Sequence, residues 1–174
     1  MFKMFAVGAG VALAATTGAT ALTGAVSASS RPADPRADVV LTLTTRPVDA
    51  HWIDVGAPGT SLGDTVVFSD VVSLDGTDAG RDGGYCQVVN VGGGLPTQGG
   101  PAESWVATCS GTLDLAGGQI TAQGLVGFTP NGLVRAGTLA AVTGGTGAYT
   151  GARGWLRVTP EGGGRRTVVV TLVR

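Results

Sequence analysis

The stretch DTVVFSDVVSL, Asp64 to Leu74, decides how the rest of the chain is read. Val66, Phe68, Asp70, Val72 and Leu74 fall on one side, and Thr65, Val67, Ser69, Val71 and Ser73 on the other, which is the two-residue period of a strand. Ser104 to Leu115 repeats the pattern, with Trp105, Ala107, Cys109, Gly111, Leu113 and Leu115 sharing a face. From Val39 onward no segment keeps a 3.6-residue period across three turns, so helices are expected to be nearly absent. Strands are expected at Val39–Thr45, His51–Val55, Asp64–Leu74, Tyr85–Val91, Ser104–Leu115, Gln119–Phe128, Leu133–Thr143, Ala148–Thr159 and Arg165–Val173. The gaps carry turn chemistry, including Asp75-Gly76, Asp82-Gly83-Gly84, Pro130-Asn131-Gly132 and Gly144 to Gly147. Glycine supplies 31 of the 174 residues, against an average usage of about 7%, which excludes a helical bundle. Consecutive antiparallel strands leave exposed edges unless the sheet closes or folds over, so the expected fold is an all-β, antiparallel up-and-down β-barrel, with a sandwich second.

The first residues do not share this pattern. Met4 to Val26 contain no charged residue, and Val26-Ser27-Ala28 supplies small residues for a cleavage site. Residues 1–28 therefore read as a cleavable secretory signal, 29–38 as a Pro-bearing linker and 39–174 as the β-barrel domain. The expected location is secreted, extracellular. A membrane span is the alternative, but the Ala-, Gly- and Thr-rich run is weakly hydrophobic, so no stable membrane span is expected after processing. A formal net charge of −1 gives no basic field for phosphate backbones, and nucleic acid is not an expected partner.

Within the barrel, Asp70 is the residue that breaks the pattern, a carboxylate in an apolar row. Burying it unpaired is costly, which leaves two readings: an Asp at a strand end bonding a turn backbone, or an acid in a wet cavity that moves protons or polarises a ligand. Cys86 and Cys109 lie in strands whose antiparallel pairing would set the two thiols opposite each other. In an exported chain the default is a disulfide, and the alternative is a nucleophilic Cys86 thiolate, for which no neighbouring base is evident. His51 is the only histidine, so neither a His/Cys metal site nor a Ser-His-Asp triad finds its parts; no GxSxG elbow is present. Asp75, Asp78 and Asp82 leave weak calcium binding open, without the spacing of a calcium loop.

AVTGGTGAYTGARG, Ala141 to Gly154, resembles the signature of the allene oxide cyclase and dirigent protein superfamily. LGDTVVFSD (Leu62–Asp70), GGYCQVV (Gly83–Val89) and GGQITAQG (Gly117–Gly124) resemble further motifs of the same family, in the same order. The resemblance implies an eight-stranded antiparallel barrel with an apolar central cavity, frequent homotrimer assembly, and chemistry without metal or organic cofactor. It places Asp70 where plant cyclases carry a water-holding Asn and dirigent proteins a pocket acid. Arg153 matches an arginine of the dirigent pocket, and Cys86 a cavity cysteine of the cyclases. LTLTTRP, Leu41 to Pro47, has no acid where the plant cyclases carry Glu, so the resemblance does not extend to allene oxide cyclase activity itself.

These readings give a site in which Asp70 and Arg153 steer protons or developing charge, with Phe68, Trp105, Phe128 and Tyr149 as the aromatic walls of a cavity for a small apolar ligand. Two functions remain: a cofactor-independent cyclase, isomerase or dirigent-like template, and a noncatalytic lipocalin-like carrier. A barrel filled with side chains would exclude both.

Overall fold

The computed structural model describes residues 39–92 and 104–173. The expected signal (1–28) and linker (29–38) lie outside the described residues. Among those described, eight strands follow one another: β1 (Val39–Ile53), β2 (Thr65–Leu74), β3 (Thr77–Val91), β4 (Trp105–Leu115), β5 (Gly118–Phe128), β6 (Thr138–Gly145), β7 (Arg153–Gly162) and β8 (Arg165–Val173). Each pairs antiparallel with the next, and β1 pairs with β8 from Val39↔Leu172 to Thr45↔Arg166, closing the barrel. Closure gives every strand two partners and removes the edge at which such a sheet would pair with another chain.

The boundaries depart from the sequence reading where glycine and proline were taken as punctuation. Two expected strands, Val39–Thr45 and His51–Val55, are one continuous β1; the chain passes Pro47 through a register shift between Pro47 and Asp49, a bulge where proline's missing N–H is tolerated. Asp82-Gly83-Gly84, read as a turn, is the middle of β3, paired with β2 on one side and β4 on the other. Gly84 stands there because a Cβ would lie 2.2 Å from the Ser110 carbonyl oxygen, a distance only a missing side chain permits. Leu133 to Gly137 contribute an isolated bridge from Val134 to Phe128 before β6 begins, and Ala148-Tyr149 fall in a 3-10 turn, Gly147–Tyr149, ahead of β7.

The interior is filled at one end and hollow at the other. Leu43, Val72, Leu113, Ile120, Val168 and Val170 form an aliphatic plug, with Val72 and Val170 fully buried. Trp105, Phe128, Val88, Ala107 and Val126 line the opposite half, around Cys86. The alternation read from β2 and β4 explains both, since their inward faces run from aromatic at one end to aliphatic at the other. The register sets Cys86 opposite Cys109, with Cα atoms 4.0 Å apart, and the two are joined as a disulfide.

A cross-link with a sequence separation of 23 restricts the unfolded chain by about 3 kcal/mol. Cys86→Ser is expected to lower the melting temperature in oxidising buffer by roughly 10 °C, with reduction of the wild-type protein reproducing the loss. Equal melting temperatures measured by circular dichroism would remove that contribution.

Candidate functional site

The hollow end holds a cavity of about 430 Å³. Its walls grow from strand alternation. Trp105 and Phe128 are direct cross-strand partners on β4 and β5, and their rings stack with centroids 4.0 Å apart and planes 5° from parallel. Such pairs stabilise a sheet beyond the area they bury. Trp52 on β1 meets Trp105 edge-on, 5.6 Å between centroids at 76°. Because β2 and β3 separate β1 from β4 around the ring, this contact crosses the mouth. Phe68 and the Cys86–Cys109 disulfide complete the wall.

The polar pole is built from three strands that meet around one guanidinium. Asp70 on β2 is 1% exposed, and its Oδ2 forms an ion pair with Arg166 Nη2 from β8. Arg166 Nε donates to the hydroxyl of fully buried Thr45, 3.2 Å away on the intervening β1. The guanidinium carbon also stands 5.8 Å from the Phe68 ring centroid, within cation–π range. Asp70 Oδ1 is buried without a hydrogen-bond partner. Directly across the β2–β3 ladder from Asp70 lies Asp82, which also lines the cavity. Burial pushes the Asp82 carboxyl from its ordinary 3.8 up to about 6, with the Asp70 charge adding to the rise and Arg166 and the Gly83 N–H opposing it. One guanidinium thus pairs directly with Asp70 through one oxygen and acts on Asp82 only as a nearby charge, and Asp82 exchanges its proton at about pH 6.

The expected site residues divide. Asp70, Phe68, Trp105 and Phe128 all face the cavity. Tyr149 does not: it packs half-buried on the aliphatic plug at the opposite end. The GGTG run that precedes it is a close backbone contact, where a Cβ on Gly118 would lie 2.2 Å from the Thr146 carbonyl oxygen. Arg153 does not reach Asp70 either; it is exposed at the start of β7, where Gly154, Leu156 and Val158 take the less exposed positions. Arg166 is the guanidinium at the acid. The sequence carried a signal for it, since Arg166 interrupts the inward row Val168, Val170, Leu172 just as Asp70 interrupts its own. His51 sits outside the cavity lining, exposed, with Nε2 3.1 Å from Asp49 Oδ1.

A closed barrel with a plugged floor, an aromatic wall and a buried acid pair on one arginine defines a small-molecule-sized pocket in an all-β scaffold. The pattern of the allene oxide cyclase barrel like domain matches residues 39–172, and the chain belongs to that family. Among solved structures, a pyocyanin demethylase is similar at 33% identity with a TM-score of 0.60, over 76% of this chain and 99% of that one. AbnU, an exo-specific intermolecular Diels-Alderase, shares the fold at 17% identity and a TM-score of 0.58, over 80% of this chain and 98% of its own. A nonspecific heme-binding cyclase that catalyses [4 + 2] cycloaddition during neoabyssomicin biosynthesis shares it at 16% identity and a TM-score of 0.55, over 80% of this chain and 65% of its own. No curated protein matches the chain.

The raised Asp82 carboxyl has a consequence for stability. Between pH 3.8 and about 6 the folded chain keeps a proton there that the unfolded chain releases, so stability falls as pH rises through that window and the loss is complete above it. Asp64 acts in the opposite sense. Hydrogen bonds from the Val55 N–H and then, against desolvation, from Ser61 hold its carboxyl below 3.8, a contribution lost only as the solution becomes more acid than that. Asp82→Asn is expected to flatten the decline in urea midpoint between about pH 4 and pH 7 and to stabilise the protein by about 2 kcal/mol at the upper end. Parallel curves for the two proteins would place the proton elsewhere.

Proposed function

We propose that the barrel binds a flat, largely apolar small molecule in its cavity and performs acid–base chemistry on it with its own side chains, as a cofactor-independent cyclase or isomerase. The observation that carries this reading is the buried Asp70–Arg166 pair facing Asp82 inside an aromatic cavity of about 430 Å³. That volume falls within the range of about 300–1,000 Å³ typical of small-molecule sites. The stacked Trp105 and Phe128 give the wall a flat apolar surface suited to a planar ligand. The similarity to a pyocyanin demethylase supports the same reading, pyocyanin being a flat tricyclic aromatic.

In this proposal the Asp82 carboxyl gives a proton to, or takes one from, the ligand atom that reaches the pole. Its raised pKa leaves both protonation states populated near neutrality. The Arg166 guanidinium, fixed by Asp70 and Thr45, stabilises negative charge that develops on a ligand oxygen or nitrogen without having to reorganise. The wall removes orientational freedom from a flexible substrate and excludes water from the reacting atoms. A group that both holds and releases a proton near neutral pH beside a fixed guanidinium supplies what proton transfer needs, which favours chemistry over transport. The disulfide fits export to an oxidising compartment, and among the described residues no helix is long and apolar enough to cross a membrane.

Pyocyanin is the first ligand to test. Saturable quenching of tryptophan fluorescence is expected, because Trp52 and Trp105 border the cavity. Asp70→Asn is expected to keep the fold and weaken binding at least about tenfold, by leaving Arg166 without its fixed partner. Gly111→Leu is expected to abolish binding, since the missing Cβ faces Phe68 Cζ at 3.9 Å and Asp82 Oδ1 at 3.8 Å, where a longer side chain would fill the pocket. Unchanged affinity and turnover in both variants, with circular dichroism showing intact folds, would remove the site.

A further inference from the structure

The charge at the pole is not balanced. Among the described residues, the groups that face Asp82 are Asp70 across the β2–β3 ladder and Arg166 from β8. The residues facing it from β4 are Gly111 and Leu113, and those nearest Asp70 on β1 are Pro47 and Thr45, none of which is charged. Arg165 borders the cavity only from an exposed position at the rim. Arg166 is committed to Asp70 Oδ2 and Thr45, while Asp70 Oδ1 is buried with no donor. When Asp82 is ionised, the deep end of the cavity therefore carries one negative charge in excess and one carboxylate oxygen that lacks a partner. The opposite wall is the stacked Trp105–Phe128 pair with Trp52 edge-on. The faces of such rings are electron-rich, so they attract positive charge.

We propose that the cavity selects a flat aromatic ligand carrying a delocalised positive charge, such as an N-alkylated nitrogen heterocycle, held between the Trp105–Phe128 wall and the Asp70 and Asp82 carboxylates. This rests on the small-molecule reading above and narrows it. A neutral ring gains only the wall. An N-alkylated cation gains the wall and the uncompensated carboxylate together, and its diffuse charge costs less to desolvate than a compact ammonium would. By linkage, a ligand that favours the ionised form of Asp82 must itself bind more tightly once that proton is gone. Affinity for a permanently charged probe then rises with pH up to the titration of Asp82 and levels off above it.

The test compares three flat tricycles of nearly equal shape on the intact, disulfide-bonded protein: 5-methylphenazinium, a fixed cation handled in the dark; phenazine, neutral; and 1-hydroxyphenazine, a neutral hydrogen-bond donor. Dissociation constants are measured by fluorescence quenching from about pH 5 to about pH 8. The cation is expected to bind at least about tenfold tighter than either neutral ring at the upper end, with affinity gaining up to about tenfold per pH unit below about pH 6 and flattening above it. The neutral rings are expected to show a flat profile. Asp82→Asn is expected to erase the slope and to lower the cation's affinity at about pH 8 at least about tenfold more than it lowers phenazine's, and that ratio within one variant separates a charge effect from a damaged pocket. Equal or tighter binding of phenazine or 1-hydroxyphenazine would overturn charge selection and leave the small-molecule site standing. Failure of all three to bind would overturn both.

Discussion

The Asp70 carboxylate is held inside an apolar barrel by a single guanidinium, and the geometry of the site follows from that constraint. Compensation by a long side chain fixes where the partner strand must lie: Arg166 projects from β8, passes Thr45 on β1 and reaches Asp70 on β2. That reach is possible only because β1 and β8 are paired, so the ion pair depends on ring closure. An isolated buried carboxylate would cost several kcal/mol, and the pair does not eliminate the cost for its neighbour, as the raised Asp82 shows. Aliphatic residues would pack at lower cost at the bottom of an open cavity, and that excess cost is what the proposed ligand site accounts for.

Much of the fold was legible in the residues, because alternation is a strong signal when one face is buried. The β2 and β4 rows predicted which side chains turn inward, and setting the Tyr85–Val91 strand antiparallel to Ser104–Leu115 put Cys86 opposite Cys109. Glycine obscured the rest. Gly83 and Gly84 look like a turn in one dimension, yet both sit mid-strand, and at Gly84 the β4 backbone passes too closely for a Cβ. That misreading concealed Asp82, which the turn assignment had removed from any face. Pro47 similarly divided a strand that a bulge keeps whole.

The site residues show a different limit. Asp70 was found by physics, as an acid in an apolar row, and it lies in the cavity. Arg153 was chosen by motif and Tyr149 as an aromatic of an expected strand, and the structure puts the first on the exterior and the second against the plug. In this chain the motif's glycines serve a backbone contact between Gly118 and Thr146, which does not bring Arg153 or Tyr149 into the cavity lining. Applying the alternation test to β8 would have selected Arg166.

The plugged end also decides how the domain can be handled. Val39 pairs with Leu172, and Val173 with Arg153, so the polypeptide enters and leaves the barrel on the side of the floor. Among the described residues, both ends of the barrel strands, Val39 and Val173, thus lie on the far side from the opening. A barrel tethered directly at Val39 or Val173 would therefore present its mouth away from the tether.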